Sequence, residues 1–263
     1  MEADTAEVEV EDRWEQRVAV VTGAAGGIGS AVSRALTSRG TTVIGLDKSD
    51  KLEELEKEMA GQKGKFYGIK TDLTNEEEIL SAFRWTEQHV GGIDILVNNA
   101  GVSTRTRVLD GEINIWRNMF EVNVYAVGIC TREAVRSMKA RGVKDGHIVN
   151  INSVTGHIVS TLLSQSVYSA TKHAISLLTE AMRKELVESN STIRVSSVSP
   201  GRVMTEMIAP QGVIRANDRG PVLDCPSVAD AVIYVLSTPP NVQVSEVIVR
   251  PVGDLTHRFP KQI

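Results

Sequence analysis

Apolar residues along this chain fall into short, nearly continuous runs, separated by longer stretches with helical periodicity. The runs read as strands buried on both faces and the longer stretches as helices. Strands are expected at 17–21, 41–46, 65–70, 93–97, 147–151, 193–198 and 244–249. Helices are expected from the turn after the first strand to Arg39, over 51–59, and after Thr74, which forms a capping box with Glu77. Further helices are expected over 114–141, over 166–189, and from a Ser227 cap to Ser237. The 114–141 helix should be interrupted near Glu121-Val122-Asn123-Val124, because an asparagine in a helix interior competes for backbone hydrogen bonds. Strands that alternate with helices throughout predict an α/β fold: a doubly wound, seven-stranded parallel sheet covered on both faces.

Composition narrows the class without changing this picture. The chain has 263 residues, 41% hydrophobic and 24% charged, ordinary values for a globular protein, and no apolar run approaches membrane-spanning length. With no linker or composition break, 14–263 reads as a single domain. Residues 1–13 carry a net charge of −5, so the N-terminus reads as a disordered acidic tail, and the remainder is close to neutral. That balance excludes a single-sign field for nucleic acid or a membrane surface. The two cysteines, Cys130 and Cys225, do not form a disulfide framework, and there is no signal-peptide pattern, which predicts a cytoplasmic protein. The five histidines lack metal-ligand spacing, so no metal is expected. Asn190-Ser191-Thr192 fits a glycosylation acceptor but reads as a helix-ending turn.

Two stretches carry chemistry. The first is Thr22-Gly23-Ala24-Ala25-Gly26-Gly27-Ile28-Gly29, between a strand and a helix, with Asp47 closing the next strand. Glycines let the backbone approach a pyrophosphate, the helix N-terminus presents free N–H groups, and an acid eighteen residues later can bind both ribose hydroxyls. The second is Tyr168-Ser169-Ala170-Thr171-Lys172, where positions four apart stack a phenol beside an ammonium on one helix face. A fixed positive charge favours the phenolate, which makes such a tyrosine a usable acid or base. Gly23, Asp47, Asp72, Asn99, Ser153 and Pro200 all follow strand ends, so they should gather on the carboxyl edge of the sheet, where such folds bind ligands.

Taken together, Thr22-Gly23-x3-Gly27-Ile28-Gly29, Asn98-Asn99-Ala100-Gly101, Asn123, Ser153, Tyr168-x3-Lys172 and Pro200-Gly201 resemble the short-chain dehydrogenase/reductases, a Rossmann-fold family, over about residues 15–250. Residues 130–134, 146–153 and 231–239 resemble one subgroup: dehydrogenase/reductase family member 11 and its insect relatives, some described as farnesol dehydrogenases. The resemblance implies roles. Tyr168 would be the general acid/base, and Lys172 would bind the nicotinamide ribose and lower the pKa of Tyr168. Ser153 would hydrogen-bond the substrate oxygen, and Asn123 would hold a water joining Lys172 to solvent. Gly23, Gly27, Ile28 and Gly29 would cradle the pyrophosphate; Asp72 and Leu73 would hold the adenine, and Asn99 with Ala100 and Gly101 would lie along the adenosine ribose. Pro200 and Gly201 would lead to Val203 and Thr205, which would contact the carboxamide. It also implies a homodimer or homotetramer, formed through the helices of Asn123 and Tyr168.

Asp47 should favour NAD over the alternative, NADP. A 2′-phosphate ~4 Å from a carboxylate at the protein surface meets roughly 4 kcal/mol of repulsion. Lys48 offsets part of this, and no basic residue stands at 24–26 to offset the rest. Apolar residues around 157–163 (with His157 as a structural or wall residue) and Met207, Ile208, Val213, Ile214 and Leu223 point to a lipophilic alcohol or carbonyl, such as an isoprenoid or steroid. Trp116, Met119 and Phe120 read as core or subunit contact. Two competing readings stay open at this point: an NADPH-dependent reductase of ketones, and an idle binding or scaffold protein on the same fold.

Overall fold

The computed structural model describes residues 13–160, 162–207 and 220–254. The acidic segment 1–12 therefore lies outside the described residues, while Arg13 donates from Nη1 to the Thr238 carbonyl at 2.5 Å. The elements follow the expected alternation: β1 (Val18–Thr22), α1 (Gly27–Ser38), β2 (Thr42–Asp47), α2 (Lys51–Glu58), β3 (Lys65–Lys70), α3 (Glu76–Val90), β4 (Ile95–Asn98), α4 (Ile113–Phe120), α5 (Ala126–Ala140), β5 (His147–Ile151), α6 (Ser166–Glu188), β6 (Arg194–Pro200), α7 (Cys225–Ser237) and β7 (Glu246–Val249). The seven strands form one sheet in the order β3-β2-β1-β4-β5-β6-β7, all neighbours parallel. Among the described residues no helix is long and apolar enough to cross a membrane.

Alternation along the central strands builds a core on each face. Ala19 and Val21 of β1 pack with Val32 and Leu36 of α1, Leu52 and Leu55 of α2, and Val232 and Val235 of α7. Val18 and Val20 face the other way, toward Ile79 and Phe83 of α3, Cys130 and Met138 of α5, and Leu186 of α6. Strand order reverses between β1 and β4, and the chain leaves these two strands in opposite directions. Their carboxyl ends therefore flank an open crevice, the usual ligand position in such sheets.

Three local expectations need correction. Helix α3 is capped by Asn75, whose side chain accepts from the Glu77 N–H at 3.1 Å, so the Thr74–Glu77 capping box does not form. Thr74 gives both its N–H and its hydroxyl to the Asp72 carboxylate, a stronger acceptor than the helix end offers. Helix α7 is capped by Asp224, not Ser227, whose own N–H and hydroxyl donate to the Asp224 carboxylate. The interruption of the long helix is a π turn over Glu121–Tyr125. Its cause is not competition within the helix, because the Asn123 side chain bonds the Val102 backbone and Thr171 instead. Asn190 closes α6 at φ +54°, the left-handed turn expected there, which asparagine tolerates better than most residues.

Candidate active site

The carboxyl ends of the strands enclose a cleft of about 670 Å³. Its floor is the glycine turn. A Cβ on Gly29 would lie 2.1 Å from the Gly23 carbonyl oxygen, and one on Gly23, at φ +65°, would lie 2.8 Å from the Ala100 Cα. Neither position tolerates a side chain, so the turn keeps its backbone surface bare. Gly26 begins α1 without a side-chain cap, which leaves first-turn N–H groups facing the cleft wall formed by Gly26, Gly27 and Ile28. At the end of β2 the Asp47 carboxylate accepts from the Ala25 N–H and the Ser49 N–H, each at 3.0 Å. These two amides hold the acid at one end of the glycine turn. The backbone and hydroxyl of Thr74 hold the Asp72 carboxyl below its ordinary range.

The opposite wall carries the acid–base groups. Ser153, two residues past β5, accepts from the Thr155 hydroxyl at 2.9 Å and lines the cleft together with the Tyr168 phenol. Lys172, one turn along α6 from Tyr168, donates from Nζ to the Ile151 carbonyl at 2.8 Å and stands 5.8 Å from the centre of the tyrosine ring. Burial pushes the Tyr168 pKa up to about 12, and the nearby Ser153 hydroxyl pulls the other way. Burial pushes Lys172 down to about 8. In the protein alone, loss of hydration around the phenol sets the direction of its shift, and the Lys172 ammonium donates to the Ile151 carbonyl.

Gly23, Gly27, Ile28, Asp47, Asp72, Leu73, Asn99, Ala100, Gly101, Ser153, Tyr168, Lys172, Pro200, Gly201, Val203 and Thr205 all line the cleft. Gly29 and Asn123 do not. Gly29 sits under the turn, and Asn123 is buried behind the wall, bonding Val102 and Thr171. Thr171 in turn donates to the Tyr168 carbonyl, so Asn123 supports the turn of α6 that carries the tyrosine. Asn99 lines the cleft, but its amide donates to the carbonyls of Thr22 and Gly23 and ties β4 to the glycine turn.

Thr22, Thr171, Asn118 and Asn152 were missed. The Thr22 hydroxyl accepts from the Asn99 and Ala100 N–H groups, and Asn118 and Asn152 line the cleft. Thr22, Thr171 and Asn152 stand inside stretches the sequence singles out but carry no assigned role there; nothing in the periodicity marks Asn118. Of the expected apolar rim, Met207 lines the cleft, whereas Leu223 pairs with Val203 and packs on the core. Val159, Leu162 and Leu163 are exposed, and Ile208, Val213 and Ile214 lie outside the described residues. His157 bonds Glu246 at 2.7 Å and takes no place in the cleft. Met119 is core.

A bare glycine turn, uncapped helix N–H groups and a carboxylate at the end of β2 fit a dinucleotide. Beside a buried Ser–Tyr pair, they define the class: a dinucleotide-dependent oxidoreductase on a Rossmann-type sheet. The family model for short chain dehydrogenase matches residues 17–213. The chain belongs to the short-chain dehydrogenase/reductase family. It is 44% identical over 259 residues to "Dehydrogenase/reductase SDR family member 11" of Mus musculus, covering 93% of this chain and 98% of the relative. It is 42% identical over 246 residues to "Farnesol dehydrogenase" of Aedes aegypti, covering 92% and 99%. Among solved structures, a short-chain type dehydrogenase/reductase from Mycobacterium marinum superposes with a TM-score of 0.84 at 29% identity, over 92% of this chain and 96% of that one. A metagenomic short-chain oxidoreductase in complex with NADP gives 0.76 at 28% identity, over 92% and 99%.

Proposed function

We propose that this protein interconverts a lipophilic alcohol and its carbonyl compound, with an isoprenoid alcohol of the farnesol kind or a steroid as substrate and NAD as the favoured cofactor. The observation that carries this reading is the Ser153 hydroxyl and the Tyr168 phenol together on one wall of a cleft whose far end holds the Asp47 carboxylate. When bound, a nicotinamide cofactor supplies the two-electron acceptor or donor for the substrate carbon. Gly23, Gly27 and Ile28 would hold its pyrophosphate, Asp47 its adenosine ribose, and Val203 and Thr205 its carboxamide.

The rest of the chemistry belongs to the chain. Ser153 fixes the substrate oxygen within reach of the Tyr168 phenol. In oxidation Tyr168 takes the hydroxyl proton, and in reduction it returns one to the carbonyl oxygen. Lys172 supplies positive charge to the phenolate form. A phenol with a pKa of about 12 holds its proton at neutral pH, so oxidation rates should rise with pH until that proton is lost. Asn123 keeps the segment at Val102 and the α6 turn in register.

A lipophilic substrate is supported by the apolar side chains of Val102, Val122, Ile151, Val203 and Met207 in the cleft lining. NAD is supported by Asp47, held in place by two amides. Lys48, which lines the same cleft, favours the second reading, an NADPH-dependent carbonyl reductase. Exposed Tyr125 and Leu177, beside and on the helices named for assembly, support a homodimer or homotetramer, and the two free cysteines support a cytoplasmic setting. Terpenoid and steroid alcohols and their carbonyl partners, assayed with both cofactors, test the reading. It expects faster turnover of an isoprenoid or steroid alcohol with NAD. A preference for NADPH and ketones would replace it with the second reading, and failure of either cofactor to bind would overturn both.

A further inference from the structure

The two lips of the cleft come from distant parts of the chain. One carries Asp47 and Lys48 at the end of β2 and runs into α2; the other carries Thr205, Glu206 and Met207 after β6. Lys51, the first residue of α2, meets Glu206 across the gap, with Nζ donating to Oε1 at 2.5 Å. Glu206 itself lines the cleft. The hydrogen bond to Glu206 holds the Lys51 ammonium above its ordinary range, with smaller attractions from Glu54 and Asp47, and Lys51 opens α2 four residues after Asp47 closes β2.

Other cations at this end also face acids. Lys70 lies 2.5 Å from Asp50, while Lys48 lines the cleft itself and exerts only a small pull on Asp72. The ribose end thus carries Lys48, Lys51 and Lys70 against Asp47, Asp50, Asp72 and Glu206. A ribose with free hydroxyls needs only an acceptor there, which Asp47 provides. A 2′-phosphate needs a cation that is not already neutralised.

We propose that Glu206 is a cofactor-discriminating residue: by holding Lys51 across the cleft, it keeps from the Asp47 end the ammonium that would pair with a 2′-phosphate. This rests on the reading of Asp47 as the adenosine-ribose site. This discrimination adds to that of Asp47 at the β2 end and comes from a residue on the loop after β6. Both partners are largely solvent-exposed, so the effect is moderate and screened by salt.

Calorimetric titration with 5′-AMP and adenosine 2′,5′-bisphosphate reads this without turnover. Glu206→Gln should tighten binding of the bisphosphate relative to AMP by about five-fold at low salt, and the gain should largely vanish at about 1 M salt. In Lys51→Ala/Glu206→Gln the ratio should return to about the wild-type value, because no ammonium is released. An unchanged ratio in Glu206→Gln, or a shift that survives in the double variant, would overturn the proposal. Wild-type preference for the bisphosphate would instead count against NAD as the favoured cofactor, while the change between variants still reports on Glu206.

Discussion

The two edges of the sheet bury charge in different ways. At the amino edge, Asp94 is buried and accepts from Arg17, Arg141 and the Val18 N–H. Asp145 takes two bonds from Arg17, and Arg194 is directed at the carbonyls of Thr238, Pro239 and Val242. Burial pushes His147 well below its usual range and Arg194 down to about 10. At the carboxyl edge, burial displaces Tyr168 and Lys172 just as clearly, but the pair and Ser153 border an open cleft. Displaced titration alone therefore does not mark a site in this molecule. Open volume, an adjacent hydroxyl and a surface shaped for a ligand separate the edge that does chemistry from the edge that holds strands together.

Substitutions on the two edges should separate activity from stability. The largest effect is expected from Lys172→Met, which should cut kcat/KM by about a thousand-fold. The same change should stabilise the fold. Lys172 falls from the usual 10.5 to about 8, so the folded state bears the cost of a buried charge below about pH 8, and that cost fades as pH rises toward 10.5. The displacement corresponds to about 3 kcal/mol, reduced to about 2 kcal/mol net once the bond to Ile151 is lost. Urea melts should show this gain at pH 7 and a smaller one at pH 10. A loss equal at both pH values would contradict the burial argument.

Next, Asp94→Asn should cost about 3 kcal/mol of stability, because Arg17 and Arg141 lose a buried partner. Turnover per folded molecule should stay at the wild-type level. A kcat that fell with the stability would join the two edges, which the geometry keeps apart. Smallest of the three, Asp47→Ser should move the NADP-to-NAD ratio of kcat/KM upward by about ten-fold. An unchanged ratio would show that the amides of Ala25 and Ser49 hold the acid away from the ribose.

Much of the carboxyl edge was legible in the sequence. Gly23, Gly29 and Asp47 announce themselves through spacing in a strand–turn–helix–strand unit, and Ser153 and Tyr168 through their positions after a strand and on a helix. The parallel sheet and its two-sided core follow from the same alternation; the strand order is seen only in the structure. What was illegible depends on partners far along the chain. Nothing local to Asn123 shows that its amide reaches Val102, and Lys51 and Glu206 stand 155 positions apart. The caps at Asn75 and Asp224 were misread because Thr74 and Ser227 are good caps in isolation, yet here each donates to a stronger neighbouring carboxylate. At Tyr168 the sequence shows a nearby charge but not the burial around the phenol, which depends on the folded wall.

The central claim is that Tyr168 moves the proton in a cleft that binds a dinucleotide independently of it. The most direct measurement is Tyr168→Phe, with cofactor affinity read by fluorescence titration and turnover by absorbance of the reduced cofactor. The account predicts cofactor affinity within about two-fold of wild type and a loss of turnover of at least about a hundred-fold. A Phe variant that turns over at the wild-type rate would contradict it.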